Sequence, residues 1–297
     1  MTQKIDVVIA VAGWEARFLE GLKVDLETFL PKELFILTFD EYADKTNMSR
    51  IALMDFARQK GIKSNEVSVQ RQPVQLWRAI RESFSGPRWA HRSVLVDITT
   101  MPREVIWWIF SALRSSGSHI SYVYHKPASY SPEWLTRDTD RPRLVYQHSG
   151  IAELGRETCL FLVSGFDVDR AIQIVQFFEP RTFIIGIQIG SQFENAVRNV
   201  ARNRHLLTRV QNPHFVEIDS YSPDHGLAAM EVALKSHFEK FNVVAASLGP
   251  KLSAVSLYHL QIKHPDIALA YAPSRQFNYE YSRGIGENPI TGVLDAL

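Results

Sequence analysis

What this chain lacks narrows its chemistry first. Its 297 residues include one cysteine, Cys159, so no internal disulfide can form, and its place in an apolar run predicts a small buried thiol. An excess of one charge is missing too: the formal net charge is +1, whereas a dedicated duplex-binding domain carries a strong basic excess. No apolar run approaches the roughly 20 residues of a membrane-spanning helix. The opening residues, Met1 to Asp6, lead into a strand without an apolar segment and small-residue cleavage site, so a cytoplasmic protein with no membrane contact is expected. Familiar signatures are also absent. There is no G-x-G-x-x-G, no Walker lysine loop, no G-x-S-x-G elbow and no C-x-x-C or H-x-x-x-H pair, so neither a metal nor a resident cofactor is expected.

What is present says the same thing twice. Val7-Val8-Ile9-Ala10-Val11-Ala12-Gly13-Trp14-Glu15 reads as a buried strand ending in glycine, aromatic ring and acid, and Cys159-Leu160-Phe161-Leu162-Val163-Ser164-Gly165-Phe166-Asp167 repeats that order. Val94-Leu95-Val96-Asp97-Ile98-Thr99-Thr100-Met101-Pro102-Arg103 runs an apolar strand into hydroxyl, proline and base. Asn242-Val243-Val244-Ala245-Ala246-Ser247-Leu248-Gly249-Pro250-Lys251 does likewise. The landmarks keep nearly the same separation in both halves, which indicates an internal duplication.

Apolar runs alternate with helical periodicity, the pattern of βαβ units and parallel sheets. Strands are expected at 6–12, 34–39, 66–70, 93–98 and 119–124, then at 158–163, 181–188, 214–219, 242–246 and 267–271. Helices are expected at 15–29, 47–60, 73–84 and 103–115, then at 167–178, 192–203, 226–241 and 251–263. The predicted fold class is α/β, with two tandem Rossmann-like domains built on mainly parallel sheets. Residues 1–128 form the first domain, 129–156 a linker or hairpin, and 157–297 the second domain with a C-terminal lid loop. Ligands of such sheets bind beyond the carboxyl ends of the strands, where helix amino termini point outward, so all four repeated segments should converge on one edge.

The turn from Asp97 to Arg103 is the sharpest local signal. Thr99 and Thr100 precede a proline suited to a helix start and could either cap that helix or bind phosphate, and Arg103 adds a planar cation. Ser247 and Lys251 repeat the arrangement. Asp97 has no acidic counterpart, because Ala245 stands at its place in the repeat; it is a candidate base, a hydrogen-bond acceptor or a cap. Glu15 is a second candidate base, or simply an acid complementing a helix dipole. Gly13 and Gly165 allow a tight turn or close approach of a ligand. Trp14 and Phe166 could stack on a base or close the sheet edge. Arg198, Arg202, His205 and Arg209 share one helix face, either a solvated stripe or a contact for nucleic acid or an acidic partner.

On these residues, the turns at Gly13 and Gly165 and the hydroxyl-rich turns at Thr99 to Arg103 and Ser247 to Lys251, the chain resembles the CARF-type Rossmann-like sensors of prokaryotic antiviral defence. Two such units in one chain resemble the SAVED arrangement. The resemblance implies a nucleotide second messenger held by Thr99, Thr100, Arg103, Ser247 and Lys251 on its phosphates and by Trp14 and Phe166 on its bases. It also implies a separately encoded effector, and leaves homo-oligomerisation open. Two other classes stand beside it: a nucleotide-processing enzyme, either a cyclic oligonucleotide phosphodiesterase or a glycosyl transferase, and a structural subunit that docks a partner.

Overall fold

A computed structural model describes residues 4–131, 133–189 and 213–294. The expected helix at 192–203 and the stripe of Arg198, Arg202, His205 and Arg209 lie outside the described residues. The chain divides into two compact units, Met1–Glu133 with Tyr279–Leu297, and Trp134–Asn278.

The first unit runs β1 (Val7–Val11), α1 (Ala16–Phe29), β2 (Glu33–Phe39), α2 (Ala43–Gln59), β3 (Lys63–Val69), α3 (Pro73–Phe84), β4 (Ser93–Asp97), α4 (Arg103–Ser115), β5 (His119–Tyr124) and a short β6 (Ser129–Tyr130). In the second unit come β7 (Thr136–Thr139), β8 (Arg143–Leu144), β9 (Thr158–Val163), α5 (Val168–Phe178), β10 (Thr182–Gln188), β11 (His214–Ile218), a helix over Leu227–Leu234, β12 (Asn242–Ser247), a helix over Leu252–Lys263, β13 (Ala268–Tyr271) and β14 (Ser274–Phe277). The chain then returns to the first unit with β15 (Ser282–Arg283) and β16 (Ile290–Leu294).

Both units are built on one plan. The first sheet has the order β16-β5-β4-β1-β2-β3 and the second β11-β10-β9-β12-β13-β8. Each therefore sets its first five strands in the order third, second, first, fourth, fifth, all parallel, and closes the fifth with an antiparallel strand, β16 or β8. The fold is α/β with two mainly parallel six-stranded sheets, as tandem Rossmann-like domains require. β1 is buried along its whole length, as a β-branched run covered on both faces must be. Phe18, Leu22 and Leu26 of α1 follow helical spacing and pack on Leu34 and Ile36 of β2. α3 starts at Pro73, and Gln72 caps it by accepting the Gln75 backbone N–H at 2.7 Å.

Four expectations are corrected. α2 begins at Ala43, ahead of Asn47, because a 3₁₀ turn over Asp40–Tyr42 feeds it directly. The helix expected at 226–241 ends at Leu234 and gives way to turns whose amides, such as His237 N–H to Leu234 O, reach back three residues. The stretch expected as a linker or hairpin supplies strands that pair outside it: β7 pairs with β14, and β6 with β15. Finally, the tail does not remain with the second domain: β16 pairs antiparallel along β5, so residues 279–297 belong to the first unit. An alternating edge strand gains its hydrogen bonds from a partner far away in sequence, which local pattern cannot reveal.

Candidate functional site

In each sheet the strand order reverses between the first and fourth strands, the place where open α/β sheets receive ligands. The repeated turns stand there, and in each unit they lean on one another. A Cβ on Gly13 would lie 2.8 Å from the Thr100 side chain, and one on Gly165 would lie 1.9 Å from the Leu248 carbonyl oxygen. The two glycines admit the neighbouring turn of their own unit. The close approach expected for a ligand is taken by protein.

The hydroxyls face inward for the same reason. Thr100 donates to the Val11 carbonyl at 2.8 Å, tying the end of β1 to the turn after β4. Thr99 is fully buried and accepts the His125 backbone N–H at 2.9 Å. Neither caps α4, which has no side-chain cap, so the capping role expected of them is not found. Ser247 is buried too, its hydroxyl 2.5 Å from that of Ser253, which donates to the Pro250 carbonyl. Arg103 opens α4 and Lys251 precedes the helix Leu252–Lys263; both are half-buried, and both have partners.

The acid that closes the first repeated motif serves a clamp present in both units. Glu15 holds the buried Arg17 at 2.7 Å and accepts from Ser282. Arg17 lies over the Tyr124 ring and donates to the His125 carbonyl at 3.2 Å. Asp167 pairs with the buried Arg170 at 3.7 Å and accepts from Thr136. Arg170 lies over the Tyr271 ring and donates to the Ala272 carbonyl. Glu15 is thus engaged on the protein's own arginine and hydroxyl, which argues against the role of free base. Asp167 additionally caps α5 through the Arg170 N–H.

Asp97 ends β4 almost wholly buried. Its Oδ1 accepts the Thr99 backbone N–H at 2.8 Å, while Oδ2 has no hydrogen-bond partner. Burial first, and then the nearby Asp25, push its pKa up to about 6 against the pull of His125. His125 Nε2 stands 3.0 Å from Asp25 Oδ2, with both side chains buried. Burial alone would lower the histidine, but the hydrogen bond and charge of Asp25, with that of Asp97, hold its pKa above the ordinary value; burial raises Asp25 itself. Asp25 was readable as an acid on the apolar stripe of Phe18, Leu22 and Leu26, and its partner was not.

Register also refines the repeat. Ile9 faces Val96 in the first sheet and Phe161 faces Ala245 in the second, so Asp97 corresponds to Ala246 rather than to Ala245. The turn before the proline is one residue shorter in the second unit. At the carboxyl edge of the first unit, Trp14 meets Tyr279 at 4.9 Å and Tyr42 at 5.5 Å; Lys45 lies over the Tyr279 ring and Arg71 over that of Tyr42. Phe166, the counterpart of Trp14, is half-buried.

No family model and no curated protein matches the chain. Among solved structures it is similar to a type III CRISPR defence DNA nuclease activated by cyclic oligoadenylate, with a TM-score of 0.57 at 10% identity, over 85% of this chain and 63% of the other. The two share a fold. The chain spans less than two thirds of that nuclease's length. Slighter likenesses join it to a universal stress protein from Archaeoglobus fulgidus DSM 4304 (TM-score 0.28, 10% identity, 93% and 98% covered) and to UDP-GlcNAc 2-epimerase from Neisseria meningitidis bound to UDP-GlcNAc (TM-score 0.23, 11% identity, 82% and 77% covered). Among the described residues no helix is long and apolar enough to cross a membrane, and no cluster of three side chains could hold a metal ion.

Proposed function

We propose that this chain is a nucleotide sensor or regulatory subunit of a prokaryotic defence system, related to the CARF and SAVED proteins, which binds a second messenger and reports to a separately encoded effector. The observation that carries the reading is the fold shared with a nuclease that cyclic oligoadenylate activates, joined to paired turns at the switch points where such sheets take ligands. In this reading the helix starts at Arg103 and Lys251 attract phosphate. The rings of Trp14 and Tyr42, with Lys45 and Arg71 beside them, and Phe166 in the second unit, offer surfaces for bases. Thr99, Thr100 and Ser247 hold the turns in shape from within.

Calorimetry against cyclic oligoadenylates, linear oligoadenylates and mononucleotides tests it. Heat is expected with a cyclic oligoadenylate, weakened about tenfold or more by Arg103→Ala, since charge-assisted phosphate bonds are strong. No heat with any nucleotide would end the proposal. One observation keeps an enzymatic reading in view: Asp97 has an unbonded carboxylate oxygen and a pKa near that of a working base. Turnover of the bound nucleotide that disappears in Asp97→Asn while binding persists would favour it.

A further inference from the structure

The carboxyl edge of the second sheet holds a side chain that packing does not require. Gln188 is the last residue of β10, between β9 and β11, and is 2% exposed. Its Nε2 and its Oε1 both lack a hydrogen-bond partner, and among the described residues it is the only buried amide with neither end bonded. A buried polar group left unbonded is costly, and here both ends of one amide bear that cost.

The first unit shows that the position can be filled otherwise. Val11 faces Leu37 and Val163 faces Gly186, so Gln188 corresponds to Phe39, a ring with nothing to bond. The amide is also placed where a ligand would come. Its Nε2 lies 3.2 Å from where a Cβ on Gly249 would stand, in the turn between β12 and the helix Leu252–Lys263, at the reversal of strand order. Any larger residue at Gly249 would press on that amide.

The chemistry of the two unmet ends narrows the ligand. The amide presents a donor beside an acceptor, so its complement must present an acceptor beside a donor. Phosphate offers only acceptors and would leave Oε1 unbonded. The O6 and N7 edge of guanine does the same, whereas a nucleobase edge that sets an acceptor beside a donor matches, as adenine, the base of the nucleotide reading above, does through N7 and its N6 amino group. We infer that Gln188 is the base-reading residue of an adenine subsite at the switch point of the second unit. This deepens the nucleotide reading above and rests on it.

The test uses the full chain, cyclic oligoadenylate, the same ring with adenine N7 replaced by carbon, and the corresponding guanylate ring, titrated calorimetrically into wild type, Gln188→Leu and Gln188→Glu. Wild type is expected to favour the adenine ring over both analogues. Gln188→Leu should lose about ten- to hundredfold in adenine affinity and become indifferent to the loss of N7. Its thermal midpoint should hold or rise, because an unbonded amide has been removed, so that lost binding is not lost fold. Gln188→Glu, which keeps the shape and an acceptor but not the donor, should also lose its preference for N7. Undiminished affinity and selectivity in both variants would overturn the inference and leave the nucleotide reading standing. Absence of nucleotide binding by wild type would overturn both.

Discussion

Beside the fourth strand the first unit buries Asp97 and His125, where the second has Ala246 and Ala272; at the end of the second strand the first unit has Phe39, where the second has Gln188. Strand order, leaning turns and the arginine clamp over a tyrosine are common to both. The frame has been kept twice, then, while the buried polar groups were exchanged from one place to another. Groups that differ between two copies of one frame are not demanded by the frame, and this makes them the places to look for separate tasks.

The strongest way to sharpen the comparison is at the glycines. Gly165→Ala drives a methyl into backbone at Leu248, which cannot yield without moving the turn, so a loss of about 3 kcal/mol or more is expected in urea unfolding. Gly13→Ala meets the Thr100 side chain first, rather than backbone, and should cost about 1–2 kcal/mol. Equal losses would show that the two turns are held in the same way after all.

Next comes the acid–histidine cluster. Asp97, Asp25 and His125 all stand above their ordinary pKa values, so the native unit binds protons more tightly than the unfolded chain does. Stability from Asp97 is therefore complete below about pH 4 and drains away as pH rises through about 6. Asp97→Asn should raise stability near pH 7 by about 2 kcal/mol and change it little near pH 4. The Ala246 position offers the second unit no such dependence. A pH-independent effect of Asp97→Asn would remove this difference between the units.

A smaller effect is expected at Thr100, whose hydroxyl joins the turn to β1. Thr100→Val should cost about 1 kcal/mol, the worth of one buried hydrogen bond, measured by the same unfolding. The smallest is none at all: Cys159 is wholly buried in β9 and burial pushes its thiol up to about 12, so a thiol reagent should label it only on unfolding.

Much of the frame was legible because each βαβ step leaves its period in a short window. The strands 119–124 and 158–163 are found where the apolar runs set them. The repeated glycines were also found, but their reason was not: a residue without a side chain does not say what fills its space, and Thr100 and Leu248 do. His125 and Asp25 lie a hundred positions apart, and a pair across such a distance leaves no pattern in either neighbourhood. Gln188 reads as an ordinary polar strand end, and only the absence of partners around it sets it apart. β16 escaped for the same reason as the histidine pair, since its bonds are to a strand read long before.

That last strand gives translation a particular order. His119 to Tyr124 emerge early, yet the segment that covers their free edge follows the whole of the second unit. A nascent chain must carry an open sheet border while another sheet folds, a border that any passing strand could borrow. The part made first is the part finished last.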